Sequence, residues 1–129
     1  MKPMNIDPTL VTLRNFFLYL LVNNKLKIED TKEGKGEEVH SGDYITIHYH
    51  GTLENGKVFD SSVERGIPFQ CRIGVGDVIA GWDMGVLGMK VGGKRTLTIP
   101  SSLAYGDRAI GSIPAGSTLI FDVELVSID

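Results

Sequence analysis

The sequence predicts an α+β fold: a curved antiparallel sheet of about five or six strands wrapped around one short helix, with a helical extension at the N-terminus. Three observations predict it. From Leu26 onward, apolar residues recur with period two in run after run, the pattern of strands with one face in a core and one in water. Only one internal stretch, Asp77 to Leu87, changes to helical spacing, with Val78, Ile79, Trp82 and Val86 on one face. A chain of 129 residues has room for one hydrophobic core, so the helix and the strands must share it.

Two units follow in order, residues 1–25 and residues 26–129. The first, MKPMNIDPTLVTLRNFFLYLLVNNK, holds seven consecutive apolar residues, Phe16 to Val22. That is far short of the ~20 a spanning helix needs. Arg14 splits the apolar region, and Asn23, Asn24 and Lys25 stand where a signal peptide would carry small residues. A retained helix is expected, with Asp7 as N-cap, Pro8 in its first turn and Asn23 or Asn24 as the stop. Leu10, Leu13, Phe17 and Leu20 form a stripe, and Phe16, Leu18, Tyr19, Leu21 and Val22 spread apolar surface around the rest. Such a helix needs a cover. Residues 8–22 would pack on the domain, join two copies as a homodimer, lie on a membrane surface, or form a leader with little order. The lack of an export signal points to the cytoplasm; the apolar segment leaves a membrane-associated or envelope location as the alternative.

Beyond Leu26, LKIED alternates and TKEGKGEEVHSGD reads as a charged loop broken by glycine. YITIHYH sends Ile45, Ile47 and Tyr49 to one face and Tyr44, Thr46, His48 and His50 to the other. Asn55-Gly56 marks a hairpin between this strand and VFD. FQCRI places Phe69, Cys71 and Ile73 together, and KRTLTIP does the same for Arg95, Leu97 and Ile99 before Pro100 ends the strand. STLIFDVELVSID turns Leu119, Phe121, Val123 and Leu125 inward. In the helical stretch, Asp77 lies near the positive N-terminal end. Gly81 and Gly85 flank Trp82 and are expected to leave space around the indole.

Composition narrows the function. The net charge of −3, with basic residues scattered among acids, argues against a nucleic-acid partner. One cysteine excludes an internal disulfide. GTLENGK (51–57) and GMKVGGK (88–94) have phosphate-loop spacing, but Val58 and Arg95 stand where a magnesium-binding hydroxyl belongs, and strands follow both. GVGDVIAG misplaces the third glycine of a dinucleotide fingerprint. His48 and His50 share a face without a third ligand at suitable spacing, so neither metal nor cofactor is expected. Ser112 lacks a nucleophile elbow, and Cys71 alternates with core residues. A catalyst built from this chain would need chemistry without nucleophile, base or metal.

The alternation points a set of large residues inward: Tyr49, Phe59, Phe69, Val78, Ile79, Trp82 and Phe121, joined from a loop by Tyr105. Each taken singly reads as core. Asp60, following Phe59, would enter the same region, where an acid must be paired or hydrogen-bonded. Arg65 is one partner for it; a turn cap over Ser61 and Ser62 is the other reading.

These residues sit in longer motifs. YHGTLENGKVFDSS, IPFQCRIGVGDVIAGWDMGVLGMKVGGKRTLTIP, LAYGDRAIGSIPAG and STLIFDVELV resemble, in order and from about residue 26 to 129, the FKBP family of macrolide-binding peptidyl-prolyl isomerases. The resemblance implies a curved sheet around one helix, with cis-trans isomerisation of X-Pro bonds as the activity and macrolides such as rapamycin and tacrolimus as competing ligands. It implies proline-containing peptides and unfolded or partly folded proteins as partners. Trp82 resembles the pocket floor, Tyr49, Phe59, Phe69 and Phe121 its walls, and Val78 with Ile79 the peptide-contacting edge, where the Ile79 N–H is a donor. Asp60 and Tyr105 resemble the polar groups over the bound carbonyls, with Phe59 beside them. Arg65 resembles the partner that orients Asp60 and Tyr49, and Ile113 falls where a loop reaches over the mouth. The chain departs from many relatives at Cys71, where another aromatic is usual, and in the shortened loop Gly106 to Ile113, which carries Asp107 and Arg108 and no histidine.

Overall fold

The structure, a computed structural model, describes residues 26–129. The period-two segments become strands β1 (Lys27–Lys32), β2 (Tyr44–Leu53), β3 (Val58–Ser61), β4 (Phe69–Arg72), β5 (Lys94–Ile99) and β6 (Leu119–Ile128). All pairs are antiparallel, and the order across the sheet is β1-β5-β6-β2-β3. The sixth strand, β4, shares an edge of β2 with β3: β4 pairs with Tyr44–Ile47, and β3 with His50–Thr52. Register shifts at Asp30/Lys32, Thr46/Ile47 and Gly51/Thr52 bend the ladder, as bulges do. The alternating side chains fill the concave face. Ile45, Ile47, Leu97, Ile99, Leu119, Phe121, Val123 and Leu125 are all buried there.

Among the described residues two short α-helices accompany the sheet, where the sequence predicts one beyond residue 25. Helix α1 (Ser62–Arg65) directly follows β3. Four residues are too few to register as periodicity, and local capping makes the turn. The Ser61 side chain accepts from the Glu64 N–H at 3.2 Å, and Gly66, at φ 71°, closes the other end. Helix α2 (Ala80–Gly85) is the predicted one, shorter than expected. It starts after Ile79, and Asp77 does not cap it. Val78 and Ile79 are left in the preceding loop, because Asp83 reaches back and ties Gly74 and Gly76 ahead of them. At the far end Arg95 donates to the Gly85 and Leu87 carbonyls at 2.8 and 2.7 Å, answering the bare C-terminal acceptors from the facing strand.

The glycines of α2 do something other than expected. A Cβ on Gly81 would lie 2.4 Å from the Ile99 side chain, and one on Gly85 would lie 2.9 Å from Leu97. They face the sheet, not the indole. Spaced four apart, they share one helix face and let α2 settle onto β5. Trp82 is thereby set close over the sheet. The Asn55-Gly56 hairpin forms between β2 and β3 with only Gly56 at positive φ, 87°. The Gly56 N–H donates to the Leu53 carbonyl, which makes a longer turn ending in a left-handed glycine.

The expected helical extension over residues 1–25 lies outside the described residues, as do any homodimer or membrane-surface contacts through residues 8–22. Among the described residues, no helix is long and apolar enough to cross a membrane.

Candidate functional site

Between α2, the concave face and the loop after β5 is a hollow of about 520 Å³. Trp82, 4% exposed, stands under it from the first turn of α2. Tyr49 arrives from β2, Phe59 and Asp60 from β3, Phe69 from β4 and Phe121 from β6. The loop before α2 adds Gly76, Asp77, Val78 and Ile79, and the loop after β5 adds Ala104 and Tyr105.

The rings meet edge to face. Tyr49 and Phe121 lie 5.2 and 5.3 Å from Trp82, at 77° and 84°. Phe69 meets Trp82 at 80° and Tyr49 at 87°, and Phe59 meets Phe121 at 90°. Edge-to-face contacts satisfy the ring quadrupoles without stacking, so the rings brace one another while the hollow stays open. Gly51 makes one of these contacts possible. A Cβ there would stand 2.6 Å from the Phe59 ring and 2.9 Å from Phe121.

On one rim the apolar wall gives way to charge. The Tyr49 hydroxyl donates to Asp60 Oδ2 at 2.5 Å, Arg65 Nη2 donates to that hydroxyl at 3.1 Å, and Arg65 Nη1 binds Asp60 Oδ1. Asp60 therefore takes the ion-pair reading; Ser61 supplies the turn cap. Burial pushes the Asp60 carboxyl up, but hydrogen bonds from Tyr49 and Arg65 together with the Arg65 charge outweigh it and hold the group below its ordinary value. The Tyr49 phenol is raised by burial and by its bond to Asp60. Burial, then the negative charge of Asp60, raise Tyr105. Asp60 is thus an anion at neutral pH, with both its oxygens engaged; it is poorly suited to act as a base. On the opposite rim, the Ile79 N–H donates to no backbone carbonyl among the described residues.

Nine of the eleven residues singled out from the sequence line the hollow: Tyr49, Phe59, Asp60, Phe69, Val78, Ile79, Trp82, Tyr105 and Phe121. Arg65 stands behind Asp60 and Tyr49. Ile113 is not among the lining residues. It is 7% exposed and belongs to the core, where it exchanges backbone bonds with Ile110 across the loop tip. Sequence reasoning missed Gly76, Asp77 and Ala104 as lining residues, Gly51 as a spacer and Asp83 as an anchor. Cys71 is buried, and burial, with Asp83 and Asp77 nearby, pushes its thiol up to about 11. His48 and His50 each have Nδ1 at hydrogen-bond distance from a serine, Ser62 and Ser61 respectively. No group of three metal-ligating side chains forms among the described residues.

Sheet, helix and aromatic hollow define a class of small-domain enzymes that work with an apolar cavity. Residues 35–126 match the family model of the FKBP-type peptidyl-prolyl cis-trans isomerases. FK506-binding protein 1 of Saccharomyces cerevisiae is 53% identical over 111 residues, covering 84% of this chain and 97% of the yeast protein. FK506-binding protein 4 of Chaetomium thermophilum is 54% identical over 101 residues; the aligned region is 78% of this chain and only 21% of that longer relative. The crystal structure of AtFKBP13 superposes with a TM-score of 0.76 at 49% identity, covering 81% of this chain and 93% of that one. The chain belongs to the FKBP-type peptidyl-prolyl cis-trans isomerase family, and its activity is isomerisation of the peptide bond before proline.

Proposed function

We propose that the Trp82-floored hollow is where isomerisation takes place, with the pyrrolidine ring of an X-Pro segment resting on the indole. Tyr49, Phe59, Phe69 and Phe121 enclose it, the Val78–Ile79 edge meets the peptide backbone through the Ile79 N–H, and Asp60 with Tyr105 faces the carbonyl that rotates. Ile113 supports the loop at the mouth from within. The observation that carries this reading is the open space itself: five mutually braced rings leave about 520 Å³ unfilled beside an ion pair.

The chemistry follows from the amide. Resonance holds the C–N bond planar behind a barrier of ~18–20 kcal/mol, and uncatalysed X-Pro exchange takes tens to hundreds of seconds. At the twisted midpoint the carbonyl oxygen loses negative charge, so water favours the planar ground state over the twisted one. An aromatic hollow removes that preference and binds the twisted state differentially. Each ~1.4 kcal/mol gained this way is tenfold in rate. Asp60, ionised and oriented by Arg65, acts through its field on the rotating carbonyl without taking a proton.

FK506 (tacrolimus) is a competing ligand in this reading, supported by the FK506-binding names of the relatives, and rapamycin is proposed as a second. Its clients are proline-containing stretches of unfolded or partly folded proteins, whose folding it assists. A protease-coupled proline-peptide assay tests the site. Phe59→Ala and Asp60→Ala are expected to lose at least about tenfold in kcat/KM, and FK506 to inhibit the unaltered protein. Full activity in both variants would place the reaction elsewhere.

A further inference from the structure

Asp83 is the one charged residue buried among the described residues, at 7% exposure, and the mechanism above leaves it unused. No cation among the described residues pairs with it. Its two oxygens instead receive one N–H each, Gly74 on Oδ1 at 2.8 Å and Gly76 on Oδ2 at 2.9 Å. Both glycines are left-handed, at φ 86° and 83°, a conformation that other residues rarely adopt. Gly74 is confined from the other side as well, since a Cβ there would lie 2.3 Å from Ser41 Oγ. Beyond this clasp the chain runs through Asp77, Val78 and Ile79, which line the hollow with Gly76, and then enters α2. The Trp82 and Asp83 N–H groups both return to the Ile79 carbonyl, at 2.9 and 3.2 Å. Neighbouring residues of one helix thus hold two parts of the cavity: Trp82 supplies its floor, and Asp83 fixes one wall.

The choice of side chain matters. A carboxylate offers acceptors on both oxygens, whereas an amide of the same shape offers one oxygen and turns N–H donors toward the second glycine. Burying an anion is costly unless charge-assisted hydrogen bonds offset it, and among the described residues they come from the loop. We propose that Asp83 is a positioning residue of the isomerase, fixing the Gly74–Ile79 wall in the conformation that binds the peptide backbone. This rests on the hollow being the substrate site. The wall would contact peptide backbone in the planar and twisted states alike, so loosening it weakens binding more than turnover.

Steady-state kinetics and amide hydrogen exchange on the full chain test this, with D83N, D83E and Phe59→Ala beside the unaltered protein. In D83N, KM is expected to rise about fivefold, the effect of one lost hydrogen bond, with kcat within about twofold. The Gly74 and Gly76 amides should exchange about tenfold faster in that variant, and D83E, which keeps both acceptors, should recover part of each change. An unaltered KM in D83N overturns the proposal when Phe59→Ala is impaired; if Phe59→Ala is also unimpaired, the site assignment itself falls. Should D83N not fold, exchange in the unaltered protein decides. Reciprocity requires FK506 to slow both glycine amides, and indifference of those amides to FK506 overturns the proposal.

Discussion

Arg65 touches Tyr49 and Asp60 at once, and its guanidinium also lies 5.8 Å from the Tyr49 ring centre. Arg65→Met would strip Asp60 of a hydrogen bond and a positive charge, so its carboxyl rises relative to the unaltered protein while the Tyr49 and Ser61 bonds still oppose burial. The acid limb of kcat/KM should therefore move to higher pH in the variant, checked by assays from about pH 4 to 8. Cys71 gives a second pH effect of opposite origin. Its native value of about 11 exceeds the ordinary 9.0, so the folded state retains the proton that the unfolded chain gives up. That contribution to stability is complete below about pH 9 and is lost as pH rises toward 11. Urea denaturation across this range should show a shallower decline in Cys71→Ala than in the unaltered protein. At neutral pH the native thiol should resist alkylation and react only on unfolding.

The elements show which parts of this protein are legible in its sequence. Strands β2, β5 and β6 are read directly, because alternation and burial are the same fact seen twice. The inward set that lines the hollow is legible for the same reason, since Tyr49, Phe59, Phe69 and Phe121 belong to alternating runs. Residues whose work depends on distant neighbours are not legible. Nothing local to Gly81 says that Ile99 will lie against it, and nothing at Gly51 announces two phenyl rings. Asp83 reads as an ordinary helix-start acid until its loop partners are seen. Helix α1 escapes because one turn has no period. The α2 glycines supply the test at this scale. Gly81→Ala should destabilise the fold by about 1–3 kcal/mol through overpacking against buried Ile99. Gly85→Ala meets Leu97 less closely and gains about 1 kcal/mol of helix propensity, so it should cost less, as denaturant midpoints would show.

Over the whole molecule, each residue that lines the hollow falls between Tyr49 and Phe121, and the family match ends at residue 126. Removing residues 1–25 should leave kcat/KM on a short proline peptide unchanged within about twofold. Comparing that truncated form with the full chain by light scattering tests the expectation of self-association; identical monomer masses would end it. Excess FK506 should raise the unfolding free energy with the logarithm of its concentration, by about 2.7 kcal/mol at a hundredfold excess over its dissociation constant. A ligand that failed to do so would not be bound to the native hollow.

The sheet order carries one more consequence, concerning how the protein is made. β6, last of the described strands in chain order, is inserted between β5 and β2 and pairs with six residues of β5 and nine of β2. A ribosome-bound chain still lacking that segment has β1 with β5 on one side and β2 with β3 and β4 on the other, and no strand ladder between them, only the packing of α2 and its flanking loops. The aromatic cage would then be missing Phe121 as well. The cavity should therefore be complete only once β6 has left the exit tunnel, so nascent chains stalled before Leu119 should be protease-sensitive and unable to retain FK506.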